Sequence, residues 1–199
     1  MTTPQDILDF WFGPLDEYGN AIEDHSSLWW LKDPEADALI KQRFEPIVTA
    51  AARGALNKWA DTPAGRTALI VTLDQFPRNI YRETPQAFAY DAKARSLALD
   101  GIDRGDDEQA PFIHRVFFYL PLEHAEDRAL QALSVACYAR LLEAAPPPLE
   151  EQAANYLDYA RRHQAIVDRF GRFPHRNAIL NRESTAEETA FLTQPGSSF

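Results

Sequence analysis

Apolar side chains recur along this chain at steps of three and four, and no segment alternates convincingly with period two. Between 34 and 53, Leu39/Ile40, Phe44, Ile47/Val48 and Ala51 form one stripe; between 149 and 170, Tyr156, Tyr159/Ala160, His163, Ile166/Val167 and Phe170 form another. Such stripes predict helices that bury one face, and so an all-α fold. Proline sharpens the boundaries. Thr3-Pro4, Asp33-Pro34, Thr62-Pro63 and Thr84-Pro85 each pair a capping side chain with proline at the first helical position, where no amide is needed. Ser184 with Glu187 reads as a capping box, and Gly54, Gly101 and Gly171 read as helix ends.

These marks predict a short helix over 7–12 and an aromatic loop to Trp30. Helices follow over 34–53, broken at Pro46, then over 64–74 and 85–102. Residues 111–120 are almost wholly apolar, and Pro121 is expected to turn the chain into an acidic helix start, 123–127, continuing to about Ala144. A long helix over 149–170 and a last one over 184–192 complete the set. Helices joined by such short turns suggest stacked antiparallel pairs.

At 199 residues and 45% hydrophobic, the chain suits a single domain, residues 1–199, around one core. Its 12 Phe, 7 Tyr and 4 Trp belong to a folded protein, so the net charge of −10 lies on a folded surface. That acidity argues against nucleic-acid or anionic-membrane partners. The single cysteine, Cys137, reads as a buried thiol. Without a basic signal-like start or an apolar run near ~18 residues, a cytoplasmic location is expected. Trp11, Trp29 and Trp30 would serve either a homodimer interface or the core.

Against the acidic background, residues 161–182 carry six arginines and two histidines with one acid, Asp168. Within them, Phe173-Pro174-His175-Arg176-Asn177 echoes Phe76-Pro77-Arg78-Asn79. Proline at 77 disfavours helix at Phe76, so the stretch Asp74–Asn79 reads as a corner from which Asp74, Arg78 and Asn79 project. Arg172, His175, Arg176 and Asn177 project from its counterpart. The arginines would either cap helix ends or grip a carboxylate or phosphate with both arms. His163, on the apolar stripe of the long helix, fits a satisfied core histidine or a ligand contact. Glu123, His124 and Asp127 form a second polar cluster, with His124 and Asp127 one turn apart. No zinc-type spacing, nucleophile elbow, glycine-rich phosphate loop or paired-cysteine motif is present, so neither a metal nor a cofactor is expected.

Several motifs in order carry a family resemblance: Ile7-Leu8-Asp9-Phe10-Trp11-Phe12, Leu73-Asp74-Gln75-Phe76-Pro77-Arg78-Asn79, Ala87-Phe88-Ala89, the run 117–122 followed by Glu123-His124, the run 169–177, and the ending Pro195-Gly196-Ser197-Ser198-Phe199. The chain resembles a bacterial family of unknown function, number 924 in its series, grouped by fold with the tetratricopeptide-like helical superfamily. The resemblance implies a right-handed array of stacked helices and no activity. Relatives often carry serine where Ala125 stands, so a serine nucleophile there is no shared mechanism. They often carry glycine where Asn181 stands, which suggests a left-handed backbone that Asn tolerates.

Three functions compete. The first is a groove of Arg78, His163, Arg172, His175 and Arg176 that takes a small anion or a peptide carboxylate. In a variant, the tail 195–199 fills that groove. The second is a hydrolase or acid/base enzyme using Glu123, His124 and Asp127 with His163 or His175, with or without a divalent metal. It requires His124 within ~10 Å of His163 or His175. The third is a protein-interaction scaffold whose corners are purely structural.

Overall fold

In the computed structural model, which describes residues 2–198, three of the four Xaa-Pro marks start helices. Thr3 caps α1 (Pro4–Phe12) through a reciprocal box with Asp6, Asp33 caps α3 (Pro34–Ala52), and Thr62 caps α4 (Pro63–Ile70). Between α1 and α3, the expected aromatic loop contains a short helix, α2 (Ser26–Trp30). Pro46 lies within α3 without ending it.

The fourth mark departs from expectation. The Thr84 hydroxyl donates to the Tyr81 carbonyl at 2.7 Å instead of capping, so Pro85–Phe88 makes only a 3₁₀ turn. The helix proper, α6 (Asp91–Arg104), begins after it. Gly101 does not end α6 either. It lies in the interior, where a β-carbon would stand 2.4 Å from the Phe118 ring and 2.5 Å from Arg66 Cδ. Close helix packing, not a turn, explains this glycine, and the left-handed end is Gly105.

The helix begun by α4 does not stop before Pro77. A π-turn, Val71–Gln75, carries it into α5 (Phe76–Ile80), with the Phe76 amide reaching back to the Val71 carbonyl. The extra residue puts Pro77 in the first turn of a fresh segment, where its missing amide is not needed. Pro121 is likewise absorbed: α7 (Phe112–Glu123) runs through it to a cap at His124.

Asp127 caps α8 (Arg128–Glu143), and α9 (Glu150–Phe170) ends at left-handed Gly171. The last box is one residue later than expected, with Thr185 and Glu188 opening α10 (Ala186–Leu192). Glu188 also receives Arg172 and Asn177, which fixes the later register. Asn181 has φ 53°, the left-handed backbone anticipated for it.

No strand occurs among the described residues, and the fold is all-α. Gln131 of α8 donates to the Glu123 and Ala125 carbonyls near the end of α7, while Tyr138 donates to Val116 further back. Opposite sequence directions in contact make α7 and α8 antiparallel. Arg128 meets the Asp168 carbonyl and the Tyr138 ring meets Tyr156, so α8 and α9 are antiparallel too. Nearly every side chain of α7 is buried, and Phe117 receives Trp11, Phe12, Trp29 and Trp30 around it. Trp11 and Trp29 thus join the core, whereas Trp30 stays 46% exposed. The tail variant involves Phe199, which lies outside the described residues.

Arg66 and Asp106 form a buried ion pair at 2.8 Å, and Arg66 also donates to the Ala60 and Leu97 carbonyls, tying α4 to α6. Gly101→Ala would press on both this arginine and Phe118. Although alanine favours helix by about 1 kcal/mol, overpacking costs about 1–3 kcal/mol. Urea unfolding of the variant is expected to show a net loss of stability; a gain would contradict the close packing.

Candidate functional site

The π-turn aims Asp74 inward, its side chain only 1% exposed. The carboxylate is met by His124 Nδ1 at 2.9 Å, by the Gln75 amide, and by Arg78 Nη1 at 3.5 Å. Arg78 also donates to the Asp74 carbonyl at 2.6 Å and grips Asp91, the first residue of α6, with both arms at 2.8 and 3.1 Å. The end of α7 supplies Glu123 and His124. From α9 comes His163, whose ring centre is 6.5 Å from that of His124. The turn after α9 adds His175 and Arg176, with Phe173 lying edge-on to the His163 ring at 5.6 Å and tilted against the His175 ring at 5.7 Å.

Arg176 and Arg78 converge on one ring. Their guanidinium carbons lie 4.9 and 5.6 Å from the centre of Phe88, and Arg176 also lies 4.5 Å from Phe173. Arg176 is 7% exposed and donates to the His124 carbonyl at 2.9 Å, but it joins no ion pair among the described residues. Its Nε has no acceptor among the described residues.

Charge is divided unevenly here. Burial pushes Asp74 up, but Arg78, His124 and Gln75 outweigh it and hold the carboxyl well below its usual range. Burial and the Arg78 charge push His124 down against the pull of Asp74, leaving a neutral imidazole at pH 7. An ionised carboxylate can only accept, so His124 Nδ1 carries the hydrogen and Nε2 the lone pair. Burial, with the Asp74 charge adding, raises Glu123 to about 8, and burial lowers His163 to about 3. Although Glu123 Oε1 lies 3.1 Å from His163 Nδ1, that contact therefore joins a neutral acid to a neutral ring. His163 Nδ1 also lies 2.9 Å from the Tyr159 carbonyl, an acceptor only, so this nitrogen too is protonated.

Of the residues singled out from sequence, Asp74, Arg78, His124, His163, His175 and Arg176 come together. Asn79 does not join them: it donates to Asp37 at 2.9 Å and ties the first corner to α3. Arg172 pairs with both oxygens of Glu188, and Asn177 bonds Ser184, Glu188 and Arg182, so both hold α10. Asp127 caps α8 and takes no part, whereas its neighbour Glu123 does. Arg78, expected as a fork for a ligand, is already occupied by Asp91. Sequence reasoning missed Gln75, Phe88 and Asp91 as site residues. Phe88 lies within the helix expected over 85–102, whereas α6 starts only after it. Asp91 carried no signal beyond being acidic near a helix start.

A search among curated proteins found no match. The solved structure of a protein of unknown function, ATU0120 from Agrobacterium tumefaciens, is similar to this chain with a TM-score of 0.77 and 40% sequence identity, over 95% of this chain and 96% of that one. The family model described as "bacterial protein of unknown function (DUF924)" matches residues 7–196.

The protonated Glu123 sets a pH dependence. Folded protein keeps a proton that the unfolded chain loses above pH 4.5, so stability is full below 4.5 and declines as pH rises to about 8. Glu123→Gln abolishes that decline. The stability of the variant relative to wild type, from urea titrations, should climb between pH 4.5 and 8; a pH-independent difference would contradict a neutral buried acid.

Proposed function

The chain belongs to the DUF924 family of bacterial proteins of unknown function, and because that membership brings no activity with it, we propose a function from the site: Arg176 binds a small carboxylate. The antiparallel stacking of α7, α8 and α9 also supports a tetratricopeptide-like array as its framework.

One observation carries the binding reading. Among the described residues, Arg176 is a buried guanidinium with no carboxylate partner and with its Nε left without an acceptor. A buried donor left unmade costs about 1–3 kcal/mol, which a ligand acceptor would relieve. Charge selects the ligand. Arg78 between Asp74 and Asp91 leaves that trio at −1, balanced by Arg176 at +1, so a monoanion leaves one charge uncompensated where a phosphate dianion leaves two, and the monoanion is the better fit. The planar guanidinium matches a carboxylate, whether of a small molecule or of a peptide end. Histidines 124, 163 and 175, all pushed below their ordinary value by burial, line the site as neutral rings.

Sodium acetate is the simplest probe, with sodium chloride at equal ionic strength as the reference. At a hundred times its dissociation constant, acetate should stabilise the wild type by about 2.7 kcal/mol. Arg176→Gln should lose that increment while keeping its helicity. An equal acetate effect on both proteins would contradict the reading.

A further inference from the structure

The contact between Asp74 and His124 does more than close a corner. A buried carboxylate fixes Nδ1 of the imidazole at 2.9 Å, while Nε2 has no hydrogen-bond partner among the described residues and the side chain keeps 15% exposure. Nε2 is therefore an open lone pair. The backbone carbonyl of this same residue receives Arg176 at 2.9 Å, so the imidazole and the unpaired guanidinium belong to one site. An arginine that suits a carboxylate also suits the tetrahedral oxyanion that precedes it.

We propose that the site is a hydrolytic centre in which His124, positioned by Asp74, activates water against a small carboxylic ester and Arg176 stabilises the oxyanion. This rests on the carboxylate reading of Arg176, the bound carboxylate being the product. No side-chain nucleophile intervenes. Among the described residues no hydroxyl or thiol is hydrogen-bonded to His124, and buried Cys137 accepts from Arg140 elsewhere. Water oxygen bonds to the ester carbonyl carbon while its proton passes to Nε2. The carbonyl π electrons move onto oxygen, facing Arg176. As the C=O bond re-forms, the bond to the alkoxide breaks, and the alkoxide takes the proton from the imidazolium. Ester and water become acid and alcohol, and His124 returns to its starting form.

Among the described residues, the groups facing the ring are Asp74 and Arg78 from the π-turn and α5, His175 and Arg176 from the turn after α9, and His163 from α9, 6.5 Å away. His124 is the catalytic residue and Asp74 the positioning residue. Since the Asp74 charge raises His124, Asp74→Asn should move the pH–rate midpoint down as well as slow the reaction. A purely structural role would leave the midpoint in place.

The test follows hydrolysis of 4-nitrophenyl acetate by the full chain from pH 4 to 8, alongside acetate titration of the Arg176 Nε–H signal by NMR. His124→Gln should lower kcat/KM at least ~100-fold. Acetate should inhibit the wild type and shift the Arg176 signal. If acetate shifts the signal but the wild type is no faster than buffer, hydrolysis falls and the carboxylate site survives. If hydrolysis depends on His124 while acetate neither binds nor inhibits, the assignment of Arg176 falls. Neither effect overturns both. Should His124→Gln misfold, the wild-type profile decides: a rate flat from pH 4 to 7 removes the histidine base.

Discussion

An ionised carboxylate with 1% of its side chain exposed is the constraint on which this site is built. Removing such a charge from water costs several kcal/mol unless donors replace the lost hydration. Asp74 is supplied by its neighbour Gln75, by Arg78 one turn on, and by His124 from the distant end of α7. Each donor then imposes a further requirement. Arg78 carries a charge of its own, met by Asp91 at the start of α6. His124 must sit where α7 ends, which brings Glu123 to His163 and α9. The π-turn is the backbone feature that lets one side chain satisfy all of this, because one additional residue rotates Asp74 inward without breaking the helix.

Much of the scaffold was legible in the sequence because helix ends are local chemistry. Thr3, Asp33 and Thr62 each cap with proline behind them, and Gly171 ends α9. Where local rules failed, a distant partner had overruled them. Gly101 looked like an end because its contact with Phe118 is invisible along the chain. Proline at 77 and 121 looked like breaks because a π-turn and a last helical turn can absorb a missing amide. Thr84 looked like a cap but its hydroxyl is spent on Tyr81.

The repeated Phe-Pro and Arg-Asn corners show the same division. In both, asparagine is structural, Asn79 holding Asp37 and Asn177 holding the start of α10. In both, arginine turns to Phe88. What the sequence could not reveal is that Asp91 forms an ion pair with one arginine, whereas no described carboxylate does so with the other. That asymmetry, produced by folding rather than by the motif, makes Arg176 the candidate anchor and Arg78 part of the wall.

The placement of protons between Asp74 and His124 decides what this site can do. Nitrogen-15 NMR of the His124 ring in the full chain at pH 7 reads this directly. A neutral ring with hydrogen on Nδ1 and a bare Nε2 is the predicted state. Hydrogen on Nε2, or a doubly protonated ring, would contradict it, because Asp74 would then hold no imidazole in readiness for a proton.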